Sequence, residues 1–287
     1  MGFLGFGNYS KPGKGVSKNA PEKKRFFLFF ELFFRKFWKL IQVNFLFVLA
    51  FVPLFLVVIF IFPWFEGALL NKLLAGIITI IAVIPIGPAT TGLTYVLRNY
   101  AREQHAFLFS DFKDAVKDNW KQSVPTGILL ILIGFLFSFT INFYYLNMAQ
   151  SMIYTVMMGI TIAVALLILF ASYYVYLLII TVDLKLTQIY KNALILAILG
   201  LKTNLITTFF VALIVVPTFL FYPISLIFII VIIPALVGFI ICFNSFQYIK
   251  KFCIDPYYDK IKQESPEAKE TAENVSLFSD ETPNDKI

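Results

Sequence analysis

Long uncharged stretches alternate with short charged ones along this chain. Residues 40–65 and 73–97 carry no charge, residues 122–182 are uncharged for 61 positions, and residues 203–249 for 47. A helix crosses a hydrocarbon core of about 30 Å with roughly 20 apolar residues. The first two stretches therefore predict one span each. The two longer ones predict two spans each, joined by a turn. Polar residues between Asn142 and Ser151 place the first turn. Phe221-Tyr222-Pro223-Ile224-Ser225 places the second, because Pro223 has no N–H and interrupts a helix. The fold class read from this pattern is all-α, a polytopic membrane helical bundle of six transmembrane helices within residues 23–254.

Composition agrees with that reading. Of 287 residues 59% are hydrophobic and only 14% charged, where a soluble domain of this length carries about 25% charge. A soluble enzyme and a disordered chain are both excluded. Charge then orients the bundle. With the N-terminus inside, the segments 1–39, 98–121, 183–202 and 250–287 hold 9, 5, 3 and 6 basic residues, and Lys72 alone falls outside. Positive charge accumulates on the cytoplasmic side of membrane proteins, so N-in/C-in is expected, in the cytoplasmic membrane as a multi-pass protein. The first apolar run begins too far into the chain to be a signal-peptide core. The net charge of +7 reads as contact with the lipid bilayer and its anionic headgroups, not with nucleic acid, since no basic patch sits on a soluble fold.

The charged segments carry structure of their own. Residues 1–22 are rich in Gly, Pro and Lys and read as a flexible basic segment. From Lys23 to Leu40, Phe fills most positions while Lys24, Glu31, Arg35 and Lys39 share one helical stripe. Two readings stand: a helix lying in the membrane interface, or an inward extension of the first span. In the next segment Phe109, Phe112, Val116 and Trp120 recur at helical spacing among Asp111, Asp114, Lys117, Asp118 and Lys121, with Ser110 placed to cap. This predicts a cytosolic interfacial amphipathic helix and a partner-contact surface. Residues 184–201 behave similarly and close at Gly200. Residues 255–287, with nine acids against four lysines, read as an acidic disordered cytosolic tail. An Asn stands at the entry of each hairpin, at Asn44, Asn119 and Asn204, a weak threefold pattern that fits either a hairpin repeat or the ordinary polarity of helix ends.

One segment departs from simple helix. Pro85, Gly87, Pro88, Thr90 and Thr91 break the second span near its inner end. The break reads as either a lining for a ligand path or a kink that lets helices approach closely. No Asp, Glu, Lys, Arg or His falls in the middle of an expected span, which argues against proton coupling. No catalytic motif and no nucleotide-binding loop is present, so the chain reads as not an enzyme, without cofactor or metal. Cys242 and Cys253, with the single His105, match no metal motif.

The order of residues also resembles a known family. Phe34-Arg35-Lys36-Phe37-Trp38-Lys39-Leu40, Asn44, Pro53, the Pro85–Thr91 run, Arg98, Arg102, Phe109-x-x-Phe112-Lys113 and Asn119-Trp120-Lys121-Gln122 together are similar to the YesL-like family of bacterial integral membrane proteins. The resemblance implies a small multi-span protein of the cytoplasmic membrane in a setting of carbohydrate utilisation, with no catalytic or binding residues to carry over. Two functions are expected from residues and resemblance together. One is a non-catalytic accessory protein associated with carbohydrate uptake, with a carbohydrate ABC transporter permease or its ATPase as partner. The other is a facilitator of a small neutral solute.

Overall fold

A computed structural model describes residues 24–61, 64 and 66–264 of the chain. A boundary between two compact units falls after Arg35. The elements are α1 (Arg25–Leu49), α2 (Val52–Leu56) with a π-helical turn to Ile61, α3 (Leu69–Val83), α4 (Ile86–Ala101) and α5 (Leu108–Asn147). They continue with α6 (Met152–Ile179), α7 (Leu186–Leu199), α8 (Leu201–Leu220), α9 (Leu226–Val231), α10 (Ile233–Ile249), a π-helical turn over Lys250–Ile254, and α11 (Asp255–Glu264). No strand occurs among the described residues. Five helical stretches, Leu69–Ala101 (α3 with α4), Leu108–Asn147, Met152–Thr181, Leu201–Leu220 and Ile233–Lys260, are long and apolar enough to cross a membrane, and six if the α1–α2 pair, bent by 50°, counts as one span. The protein is an all-α polytopic bundle of the membrane type.

Before the unit boundary, α1 presents a ladder of phenylalanines. Phe26 meets Phe27 and Phe30 edge-on, and Phe29 stacks on Phe33 at 6.4 Å. Helical conformation runs from Arg25 to Leu49. Residues 1–22, read as flexible, lie outside the described residues.

After the boundary, the bundle follows the expected hairpins with three differences. The bend between α1 and α2 sits at Ala50 and Phe51, just ahead of Pro53, whose missing N–H frees a carbonyl one turn earlier. The 98–121 segment is not a loop carrying a separate interfacial helix. Instead α4 continues to Ala101, and α5 is one helix of 40 residues with Pro125 inside it. At 1.5 Å per residue α5 is about 60 Å long, twice the hydrocarbon thickness. Ser110 is not the cap: the N-cap position is Phe107, and its N–H donates to Asp111 Oδ2 at 2.9 Å. At the other end of the chain, α11 extends helix ten residues into the stretch read as a tail, to Glu264. The π-helical turn over Lys250–Ile254 accommodates Pro256, whose ring would crowd a regular preceding turn. Residues 265–287 lie outside the described residues.

The turns fall where polar residues predict them. Ser151 opens α6, its Oγ accepting from the Ile153 N–H, and residues 221–225 separate α8 from α9. Burial is concentrated at the end of the bundle where the basic residues gather. Leu93 to Tyr100 of α4, Phe170 to Ile179 of α6, Ile189 to Ala197 of α7 and Phe239 to Ile249 of α10 supply most of the core. The far halves of α5, α6 and α8 expose Phe135, Phe139, Met152, Phe219 and many similar side chains, as lipid-facing surfaces do.

Candidate functional site

The helix break is built on missing side chains. Pro85 caps α4, and the Ile84 N–H turns back to the Ile81 carbonyl that Pro85 cannot reach. Two residues on, a Cβ on Gly87 would stand 2.2 Å from the Ser123 carbonyl oxygen of α5. Its counterpart Gly127 has the Gly87 Cα at 2.6 Å from an ideal Cβ. One helical turn along, a Cβ on Gly92 would stand 2.9 Å from the Phe112 carbonyl oxygen and from Val116 Cγ2. The α4 and α5 backbones thus cross in contact, the small-residue mode of membrane helix packing. Thr91 Oγ1 closes the crossing with Ser123 Oγ at 2.5 Å. Gly87, Pro88 and Thr91 are buried in this contact, and Pro85 is half-buried beside it. Thr90 points elsewhere: its Oγ1 donates to the Ile86 carbonyl at 2.8 Å and its side chain lines a cavity.

That cavity, about 590 Å³, lies among α1, α4, α5, α6, α8 and α10. Leu130, Val211, Val215, Val216 and Val237 give it aliphatic walls. Hydroxyls from Thr90, Thr94, Ser172, Tyr173, Tyr176 and Thr208 are its polar component, and no charged side chain lines it. Its volume is that of a small-molecule pocket.

One turn beyond Thr94 towards the basic end stands Arg98, wholly buried. Its Nε and Nη2 donate to Asn99 Oδ1 at 3.2 and 3.1 Å. Its Nη1 donates to the Ile180 carbonyl and to Thr181 Oγ1, each at 3.2 Å. The guanidinium also lies 4.9 Å from the Tyr95 ring centre. A guanidinium survives burial when its donors are met in this way. Charge counting had assigned Arg98 to a cytosolic segment. Its burial depends on partners 82 and 83 positions away, which no local pattern reveals.

The hairpin-entry asparagines form a second group of buried polar residues. All three are buried. Asn44 bridges the break between α9 and α10. Its Nδ2 donates to the Ile229 and Ile230 carbonyls at 3.2 and 2.8 Å, and its Oδ1 accepts from the Ala235 N–H at 2.8 Å. Asn204 receives the Tyr174 hydroxyl at 2.8 Å and donates to the Ala197 carbonyl at 3.0 Å, tying α6, α7 and α8 together. Asn119 donates to the Ala115 carbonyl of its own helix at 2.8 Å. Gly200 leaves the room that Tyr174 needs, since a Cβ there would be 2.4 Å from the hydroxyl.

The α5 stripe divides in two. Ala115, Asn119 and Ser123 form the buried line against α4, and Phe112 and Val116 sit half-buried beside Gly92. Phe109 and Trp120 turn away, 67% and 53% exposed. Close backbone approach demands small residues on the contact line, so Phe109 and Trp120 occupy the other faces while Phe112 packs over Gly92. Phe109 and Phe107, both exposed, stand about 16 Å or more along the axis from Trp120, among Asp111, Lys113 and Asp114. Cys242 and Cys253 are free, and no group of metal-ligating side chains occurs among the described residues.

Residues 67–143 match a family model described as a protein of unknown function, DUF624. The matched stretch holds α3, α4 and most of α5, and so contains the break, the Gly87–Gly127 crossing and the exposed aromatics. No curated protein and no solved structure matches the chain.

Proposed function

We propose that the protein is a non-catalytic accessory membrane protein that docks a partner through the first turns of α5. The observation that carries this reading is the length of α5. A helix of 40 residues, about twice the bilayer core, carries Phe109 past the apolar stretch into a charged segment. Tryptophan is enriched at the membrane interface; with Trp120 at that level Phe109 would stand about 16 Å further out along the axis, and an exposed aromatic held on a rigid helix suits a protein contact. The resemblance stated above supplies the setting, carbohydrate uptake, and the partner class, a permease or ATPase of a carbohydrate ABC transporter. The membrane is then the cytoplasmic membrane, with both termini inside. Isolation of the tagged protein in mild detergent tests this. The expected outcome is a transporter subunit at stoichiometric level, lost in Phe109→Asp while the elution profile stays the same. Elution alone would remove the reading.

The cavity favours a second reading, a facilitator for an uncharged solute, with Thr90 on the path. Solute uptake into vesicles holding the purified chain, compared with empty vesicles, decides it.

A further inference from the structure

We infer that the cavity between α4, α6 and α8 is a binding site for an uncharged amphiphile: an apolar body carrying hydroxyl or amide donors at one end. Partner docking at α5 is independent of this inference. With the solute reading it shares the cavity alone, and it narrows what such a solute could be.

The lining hydroxyls commit their protons within the protein. Thr90 Oγ1 donates to the Ile86 carbonyl at 2.8 Å and Thr94 Oγ1 to the Thr90 carbonyl at 2.7 Å. Ser172 Oγ donates to the Leu169 carbonyl at 2.7 Å, and Thr208 Oγ1 to the Asn204 carbonyl at 2.8 Å. With the Thr208 proton committed, the Tyr173 hydroxyl is the donor in its 2.9 Å contact with Thr208 Oγ1. Each hydroxyl oxygen still has lone-pair capacity. The Tyr176 hydroxyl pairs with Thr90, and with the Thr90 proton committed to Ile86 it is the donor there too. The cavity therefore offers acceptors to a ligand that brings donors.

Its other surface excludes two classes. Leu130, Val211, Val215, Val216 and Val237 are aliphatic, so a free polyol would leave hydroxyls against hydrocarbon at a cost of roughly 1–3 kcal/mol each. No charged side chain lines the cavity, so an ion would lose its hydration without a counter-ion. Arg98, one turn from Thr94, directs donors to Asn99, Ile180 and Thr181. An uncharged molecule with a small hydroxylated head and a short apolar chain satisfies both surfaces, and about 590 Å³ accommodates one.

The test is photolabelling of the full chain in phosphatidylcholine nanodiscs with a monoacylglycerol carrying a diazirine in its acyl chain. Adducts are mapped by peptide mass spectrometry. The expected result is labelling concentrated in residues 169–177 and 208–216. Monooctanoylglycerol should compete about tenfold better than octanoate, which has the same chain with a charge, or glycerol, which has the head alone. Thr94→Val keeps the volume and removes an acceptor, and should weaken competition about fivefold, the effect of one hydrogen bond. Thr140→Val, on an exposed part of α5, should not. Labelling spread over the exposed faces of α5 and α6, equal competition by octanoate, or an unchanged Thr94→Val would each overturn the inference. The vesicle uptake assay is separate, so binding without transport leaves this inference standing and removes only the facilitator reading.

Discussion

Gly87 has no room for a side chain, and the prediction at this position is correspondingly sharp. Gly87→Ala places a methyl group 2.2 Å from the Ser123 carbonyl oxygen, and the backbones of α4 and α5 must separate. Overpacking of this kind costs about 1–3 kcal/mol. Heating in detergent followed by size-exclusion should show Gly87→Ala losing its monodisperse peak several degrees below the parent. Gly134→Ala, where nothing lies within 4 Å of the added atom, should match the parent. Asn44→Leu should be costly for a different reason. It leaves the Ile230 carbonyl and the Ala235 N–H without their partner at a helix break, at about 1–3 kcal/mol for buried polar groups. Limited proteolysis should cut residues 226–235 faster in Asn44→Leu than in the parent; equal rates would show that the clamp carries no stability. Sequence alone marked both positions, as a glycine in a break and an asparagine at a hairpin entry. It could not say what each touches, because Ser123 and Ile230 come from other parts of the chain. Arg98 shows the limit more plainly: an arginine beside a charged segment reads as surface, and only the arrival of Ile180 and Thr181 makes it core.

Among the elements, α5 differs most from its sequence expectation. The amphipathic pattern of residues 109–120 was legible, yet pattern does not tell whether a helix lies along the membrane or runs straight on from a span. The deciding contacts are those of Gly92 and Gly87 with α5, which hold residues 112–127 collinear against α4. Spin labels at positions 109 and 142 test this. Thirty-three residues of continuous helix separate them by about 50 Å, whereas a right-angle bend near Lys121 gives roughly 35 Å. The distance measured by pulsed electron resonance should fall at the longer value. The break ahead of α4 belongs to the same contact. Replacing both Pro85 and Pro88 by Ala restores two backbone donors, lets α3 and α4 run on as regular helix and should shift Gly87 out of register with Gly127. Lower yield with unchanged partner recovery per folded molecule would mark the break as a packing device. Unchanged yield with lost recovery would mark it as part of a functional surface.

At the scale of the whole molecule, helix number and hairpin turns were readable from uncharged runs, since the cost of burying charge in hydrocarbon is a local property of each segment. The cavity was not, because it is lined by residues from six helices whose mutual placement no single segment encodes. The docking reading makes the end of α5 a protein-contact surface. A photo-cross-linking amino acid in place of Phe109, introduced in growing cells, tests it most directly, with the same group in place of the lipid-facing Phe135 as control. One cross-linked protein species is expected at position 109, identified as a transporter permease or ATPase, and none at position 135. Cross-links to lipid alone at both positions would contradict it.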